Sequence, residues 1–327
     1  LERMDFITSN KEKEFAGSDF LGGKPSGDLK TLFRPSDVCV GPDGAIYVAD
    51  WFDGRVGGHG TLDEGMTGTI YRIAPKGFKS VVPKLDLDAT EGQIMALKSP
   101  AVNVRHSGFN RLKAQGAAAV PAVSALLEET NPYFAARAIW LLAQLGDEGI
   151  AKVVALLDSK DATTRLVAYR ALRFVGHDVL AMAARMGGDE SAAVRREVAL
   201  TMREVSAEQS VAILAKIAQQ FDGKDRSYLD ALGLGSEGKE SEVYTAVSKV
   251  IGGPPQTWSD AFAWIAWRLH PAAAAADFKT RALLASLSED QRKLMVTALA
   301  FVNSREAAGH MIELAHEIGR ASCRERV

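Results

Sequence analysis

The chain has 327 residues, 47% hydrophobic and 24% charged, which is enough apolar content to bury a sizeable core, and its length suggests two domains. Its 39 basic residues stand against 41 acidic ones, a formal charge of -2 that supplies no general field for nucleic acid or an anionic membrane, so no nucleic-acid partner is expected. No apolar run approaches the ~18 residues of a membrane-spanning helix, and the alanine stretch after Pro271 stops at Asp277, so no membrane span is expected either.

The sequence opens at Leu1 without an initiator methionine or a signal-peptide pattern, and the native start and any export signal are expected upstream. Residues 1–80 read as β-structure. Asp37–Val40, Ala45–Val48 and Thr69–Ile73 are short β-prone runs, and Pro42-Asp43-Gly44 is a turn in which proline fixes one dihedral and glycine frees the other. Three short strands do not easily make an independently stable sheet, so this small antiparallel segment is expected to lack its natural neighbours.

Residues 81–93 read as a linker, and residues 94–316 as an array of short paired helices. The repeat is visible at a period of about 30 residues: Leu112, Leu142, Leu172, Met202 and Leu232 share one phase, Gly116, Gly146 and Gly176 a second, and Gly108, Ala138, Ala168 and Val198 a third. Each repeat reads as helix, break, helix. Asn131 is a suitable N-cap, Pro132 costs nothing in the first turn, Phe134, Ala138, Leu141 and Leu145 recur at helical spacing, and Gly146 suits a left-handed stop. Asp161 through Gly176 repeats the pattern, and Ser206-Ala-Glu-Gln has the form of a capping box. A single pair this short cannot bury its apolar face, so the repeats must stack. Past Phe221 the phase drifts, and Gly252-Gly253-Pro254-Pro255 interrupts it. The expectation is six or seven repeats, shorter than the roughly 40 residues of a HEAT unit. The fold class is therefore mainly α, a HEAT-like α-solenoid preceded by a small antiparallel β segment.

The last eleven residues, Glu317–Val327, back-translate codon by codon into a sequencing-library adapter read in frame, and are expected to be foreign to the native protein. The only cysteines are Cys39 and Cys323, which excludes a disulfide framework and any Cys-x-x-Cys pair.

The stretch Phe33-Arg34-Pro35-Ser36-Asp37 through Gly41-Pro42-Asp43-Gly44-Ala45-Ile46-Tyr47-Val48-Ala49-Asp50-Trp51, with Gly68–Gly77 and Ser99–His106, resembles a family of large bacterial haem-binding dehydrogenases common in planctomycetes and verrucomicrobia. In that family a sugar-dehydrogenase-like β-propeller is followed by HEAT-like repeats and then a cytochrome c domain. The resemblance implies that residues 1–80 are the last blade of a truncated propeller. It also implies a periplasmic or cell-envelope parent carrying haem c, and a quinone with calcium as further cofactors of that parent. The chain itself lacks the Cys-x-x-Cys-His motif, so no cofactor is expected within it.

A propeller of this type binds its cofactor at a channel mouth built by all blades. Asp50, Asp53, Arg55 and His59 lie in or after the strand ending at Asp50-Trp51, where loops could gather them to hold a cation or orient a sugar hydroxyl. Alternatively the two aspartates bond their own turn backbone and His59 is a surface residue. His106, His177, His270, His310 and His316 are scattered, and no metal site is expected. Arg105, Arg137, Arg165 and Arg195 fall early in the first helix of successive repeats and could form a basic docking ladder, or each could pair with an acidic or carbonyl group of its neighbour. Trp258, Trp264 and Trp267 have helical spacing, which suits a core and, less often, a sugar platform.

The functional expectation is a scaffold segment of an exported sugar-type dehydrogenase, inactive alone, whose helical array docks a protein or the parent's own further domains. Two alternatives stand beside it: a non-catalytic binding scaffold, and a HEAT-like bilin lyase, against which the β segment argues.

Overall fold

The computed structural model of the chain describes residues 35–50 and 69–324, which fall into two compact units, Leu1–Gly146 and Asp147–Val327. The division at Gly146 lies inside the expected array, so the first unit holds both the β segment and the first helices.

In the first unit β1 (Pro35–Val40), β2 (Ile46–Asp50) and β3 (Thr69–Ile73) form an antiparallel sheet in the order β1-β2-β3. The register sets Val38 opposite Val48 and Val48 opposite Tyr71. The β1–β2 turn closes through Gly41, whose N–H donates to Ala45 O at 2.8 Å, and Gly44 adopts φ +84°. Gly41 is required for a different reason: a Cβ there would lie 2.4 Å from the Tyr47 ring.

The helices begin at Thr90, slightly earlier than expected from the periodicity: α1 (Thr90–Lys98), α2 (Val102–Gln115), α3 (Val120–Ser124) and α4 (Pro132–Leu142). α1 packs along α2 because Gly108 leaves no side chain between them; a Cβ would meet Gln93 O at 2.6 Å. Asn131 caps α4 through the Tyr133 N–H, with Pro132 in the first turn.

The second unit contains α5 (Asp147–Ala155), α6 (Ala162–Phe174), α7 (Val179–Met186), α8 (Ala192–Thr201), α9 (Ala207–Ala218), α10 (Arg226–Gly235), α11 (Glu240–Ile251), α12 (Asp260–Leu269), α13 (Ala275–Ala282), α14 (Glu289–Phe301) and α15 (Arg305–Arg324). Within it α6, α8, α10, α12 and α14 pack in succession as one row, with α7, α9 and α11 in contact along a second. The chain is thus mainly α, with helical pairs following a small antiparallel sheet.

The repeat phase has a packing basis. Leu112, Leu142, Leu172, Met202 and Leu232 are all fully buried. The N-caps Ala101, Asn131, Asp161 and Ser191 keep the same interval. The next, Asp225, comes 34 residues after Ser191 because the Asp222–Lys224 turn lengthens the connection, which is the drift seen in the sequence. Gly116, Gly146 and Gly176 all have positive φ, at 60°, 84° and 71°. Gly176 ends α6 directly, with His177 N–H donating to Leu172 O at 3.0 Å. By contrast α4 ends at Leu142, and a tighter turn through Leu145 precedes Gly146.

One local expectation is corrected. Ser206 is the N-cap of α9, but its hydroxyl makes no capping bond and points to Gln209 Oε1 at 3.4 Å. A complete capping box occurs instead at Ser288 and Gln291, opening α14.

Candidate functional site

Of the four residues expected at a propeller mouth, Asp53, Arg55 and His59 lie outside the described residues. Asp50 ends β2, opposite Pro35 and Thr69, and is buried. The dense polar cluster in the β segment centres instead on Asp43, in the turn. Its carboxylate accepts from Ser80 Oγ at 2.6 Å, Ala45 N–H at 3.1 Å, Tyr47 Oη at 3.2 Å and Arg72 Nε at 3.1 Å. The Ser80 hydrogen bond leads these donors in outweighing the opposing effect of burial, and together they hold the carboxyl down at about 2. A carboxylate so fully engaged locks a turn; it is a poor general base, because proton capture would break those bonds.

The four arginines are not a free cationic ladder. Arg165 and Arg195 are buried. Arg165 Nη1 donates to Ser159 O at 2.8 Å and Lys160 O at 3.2 Å, while Nε and Nη2 grip Asp189 at 2.8 and 2.7 Å. Arg195 repeats the geometry one unit on. Its Nη1 donates to Asp189 O at 2.6 Å and Glu190 O at 2.9 Å, and its Nε to Tyr228 Oη at 2.9 Å. Arg105 follows the same rule, reaching Ser99 O and Pro100 O, six and five residues back. Arg137 stands off the phase and instead reaches Leu97 O at 3.0 Å and Ser99 O at 3.3 Å.

The cause is the same in each case. A helix end leaves carbonyls without partners and carries partial negative charge, and a guanidinium from the next helix satisfies both. For Arg165 and Arg195 the docking-ladder expectation is therefore corrected: their charge points into the fold, between consecutive helical pairs of the second unit.

The histidines among the described residues form no metal-binding group. His106 pairs with Asn110, His270 with the Trp267 carbonyl and His310 with Glu313. Among the described residues no group of three or more His, Cys, Asp or Glu converges as a metal site.

The tryptophans divide by role. Trp258 is core, edge-on to Phe262 at 4.9 Å with its indole N–H donating to Gly253 O at 2.9 Å. Trp264 and Trp267 are half-buried and meet edge to face at 5.4 Å. Trp264 lines a cavity of about 550 Å³ between α12, α13 and α14. Its charged lining residue Arg281 was not singled out from the sequence, since nothing in the local pattern around an arginine near a helix end marks it as buried.

No protein-family model matches the chain, and no curated protein matches it. Among solved structures, an engineered protein is similar over 69% of this chain and 71% of its own length, at 17% identity and a TM-score of 0.38.

Proposed function

We propose that this chain is a scaffold segment of a larger exported oxidoreductase, in which the helical array positions a propeller-type dehydrogenase beside an electron-accepting domain. The observation that carries the scaffold part is the run of buried arginine clamps in the second unit: Arg165 to Asp189 and the Ser159 carbonyl, Arg195 to the Asp189 carbonyl and Tyr228. Cationic side chains at repeating positions are committed to fixing one helical pair against the next, which gives a shape-holding array.

The dehydrogenase part rests on the family resemblance, and the sheet is compatible with it. Val38 is 63% exposed and Ile70 73%, and the register places them on opposite faces, as suits a blade that packs on both sides. Covalently held haem does not fit the residues present, since Cys39 and Cys323 are too far apart in sequence for an attachment motif and Cys39 lies exposed on β1. The electron-accepting group would belong to another part of the parent.

The test compares this chain with the product of the full native gene. The chain alone is expected to show no haem absorbance after denaturing electrophoresis and no dye reduction with aldoses, with or without calcium and a quinone. The full product is expected to carry haem. Turnover by the chain alone would overturn the scaffold reading, and a full product without haem would overturn the oxidoreductase reading.

A further inference from the structure

The cavity between α12, α13 and α14 has a buried cation on its floor, Arg281, on which the charge of Asp260 acts without forming a salt bridge. Arg281, on α13, is 1% exposed, yet among the described residues no carboxylate comes within salt-bridge distance of it. Its Nη1 donates to Pro255 O at 2.8 Å and its guanidinium lies 5.8 Å from the Trp258 ring centre, while its Nε is buried with no hydrogen-bond partner. A buried guanidinium with an unmet donor is costly unless a further acceptor arrives.

The remaining walls define that acceptor's surroundings. Trp264 offers an apolar face, Lys293 adds a second cation, and Asp260 and Asp290 supply hydrogen-bond acceptors, with Asp260 Oδ1 already accepting from Gln291 Nε2 at 2.7 Å. The unmet Arg281 donor calls for an acceptor, the carboxylates for several donors, and the indole for a face of C–H groups. At about 550 Å³ the space suits a small ligand.

We propose that this cavity binds a pyranose bearing a carboxylate, a uronate, with the carboxylate toward Arg281 and Lys293, the hydroxyls donating to Asp260 and Asp290, and the ring against Trp264. A neutral sugar would offer the Arg281 donor no charged acceptor, and a zwitterionic amino acid brings a single donor group for two carboxylates. The inference goes beyond the scaffold reading and does not depend on it, because it is tested by binding rather than by electron transfer.

The test is calorimetric titration of the full chain with sodium galacturonate, galactose, acetate and phenylalanine. Galacturonate is expected to bind saturably at millimolar concentration and at least about tenfold more tightly than galactose, as expected for a charge-assisted hydrogen bond. Acetate, lacking the ring, is expected to bind more weakly than galacturonate. Arg281→Met is expected to abolish the preference for galacturonate over galactose. Should that variant fail to fold, Trp264→Ala and Lys293→Ala, on the cavity wall, are each expected to weaken galacturonate binding about fivefold or more with helical circular dichroism unchanged. No saturable heat with galacturonate, equal affinity for galactose, tighter binding of phenylalanine, or wild-type affinity in both wall variants would each overturn the proposal.

Discussion

Arg105 and Arg137 donate to one and the same carbonyl: Nη1 of each lies 3.3 Å from Ser99 O, the C-cap of α1. Burial first, and then the neighbouring Arg105 charge, depress the pKa of Arg137. Two cations share this helix end because its unpaired carbonyls and partial negative charge offset their repulsion. Either arginine alone can serve Ser99, and its removal also relieves the other of a like charge.

The double variant Arg105→Ala/Arg137→Ala should therefore cost more than the sum of the two single truncations, by at least about 0.5 kcal/mol. Urea unfolding of the four proteins gives the coupling. Additivity to within about 0.3 kcal/mol would show that the shared carbonyl is not the link.

Arg165 and Asp189 test the clamp of the second unit. Both side chains are 7% exposed and bonded through two parallel N–H···O contacts. Burial would raise the Asp189 carboxyl, but the Arg165 hydrogen bonds and charge outweigh it, and the pKa falls below the ordinary carboxylate range. A carboxyl whose folded pKa is depressed contributes stability that is complete above its unfolded value of about 3.9 and is lost as pH falls below that toward the folded value. Arg165→Ala should cost roughly 3–5 kcal/mol at neutral pH, since it strands a buried carboxylate. Adding Asp189→Asn should recover part of that loss and flatten the acid limb of the stability profile. A single-variant cost under about 1 kcal/mol, the size typical of an exposed pair, would sink the clamp.

Asp43 makes a separate acid prediction for the β segment. Its folded pKa of about 2 lies below the unfolded value near 3.9, so its contribution is present above pH ~4 and is lost on descending toward pH 2. Backbone amide signals of β1 and β2, followed by NMR, should lose dispersion in that window. Asp43→Asn should show the weakened state already at neutral pH. A sheet unchanged between pH 4 and 2 would mean that the four donors do not hold the turn.

How much of this was legible beforehand follows from the range of each interaction. The repeat phase was, because burial at Leu112, Leu142 and Leu172 and positive φ at Gly116, Gly146 and Gly176 leave local residue preferences that recur. The arginine positions were visible but their direction was not: a guanidinium facing a helix end and one facing solvent look alike in sequence. Ser288–Gln291 and Ser206–Gln209 carry the same readable pattern, yet only the first closes a capping box, while the Ser206 hydroxyl bonds a side chain instead. Arg281 was illegible, because its floor position depends on Pro255 and Trp258, more than twenty residues away.

The last prediction separates packing from backbone conformation at one repeat boundary. Leu142 is fully buried, and Leu142→Ala removes its packing for a cost on the order of 2–5 kcal/mol. Gly146, four residues on, sits at φ +84° with nothing within 4 Å of where a Cβ would lie. Any cost of Gly146→Val is therefore conformational and should be roughly 1–3 kcal/mol, with no steric clash adding to it. Gly146→Asn should be milder, because asparagine tolerates the left-handed region, while Gly146→Ala should lie between the two. Thermal unfolding of the three glycine variants gives the order. Equal destabilisation by asparagine and valine would point to lost packing space at Gly146, and a neutral valine would mean that the chain turns there without left-handed geometry.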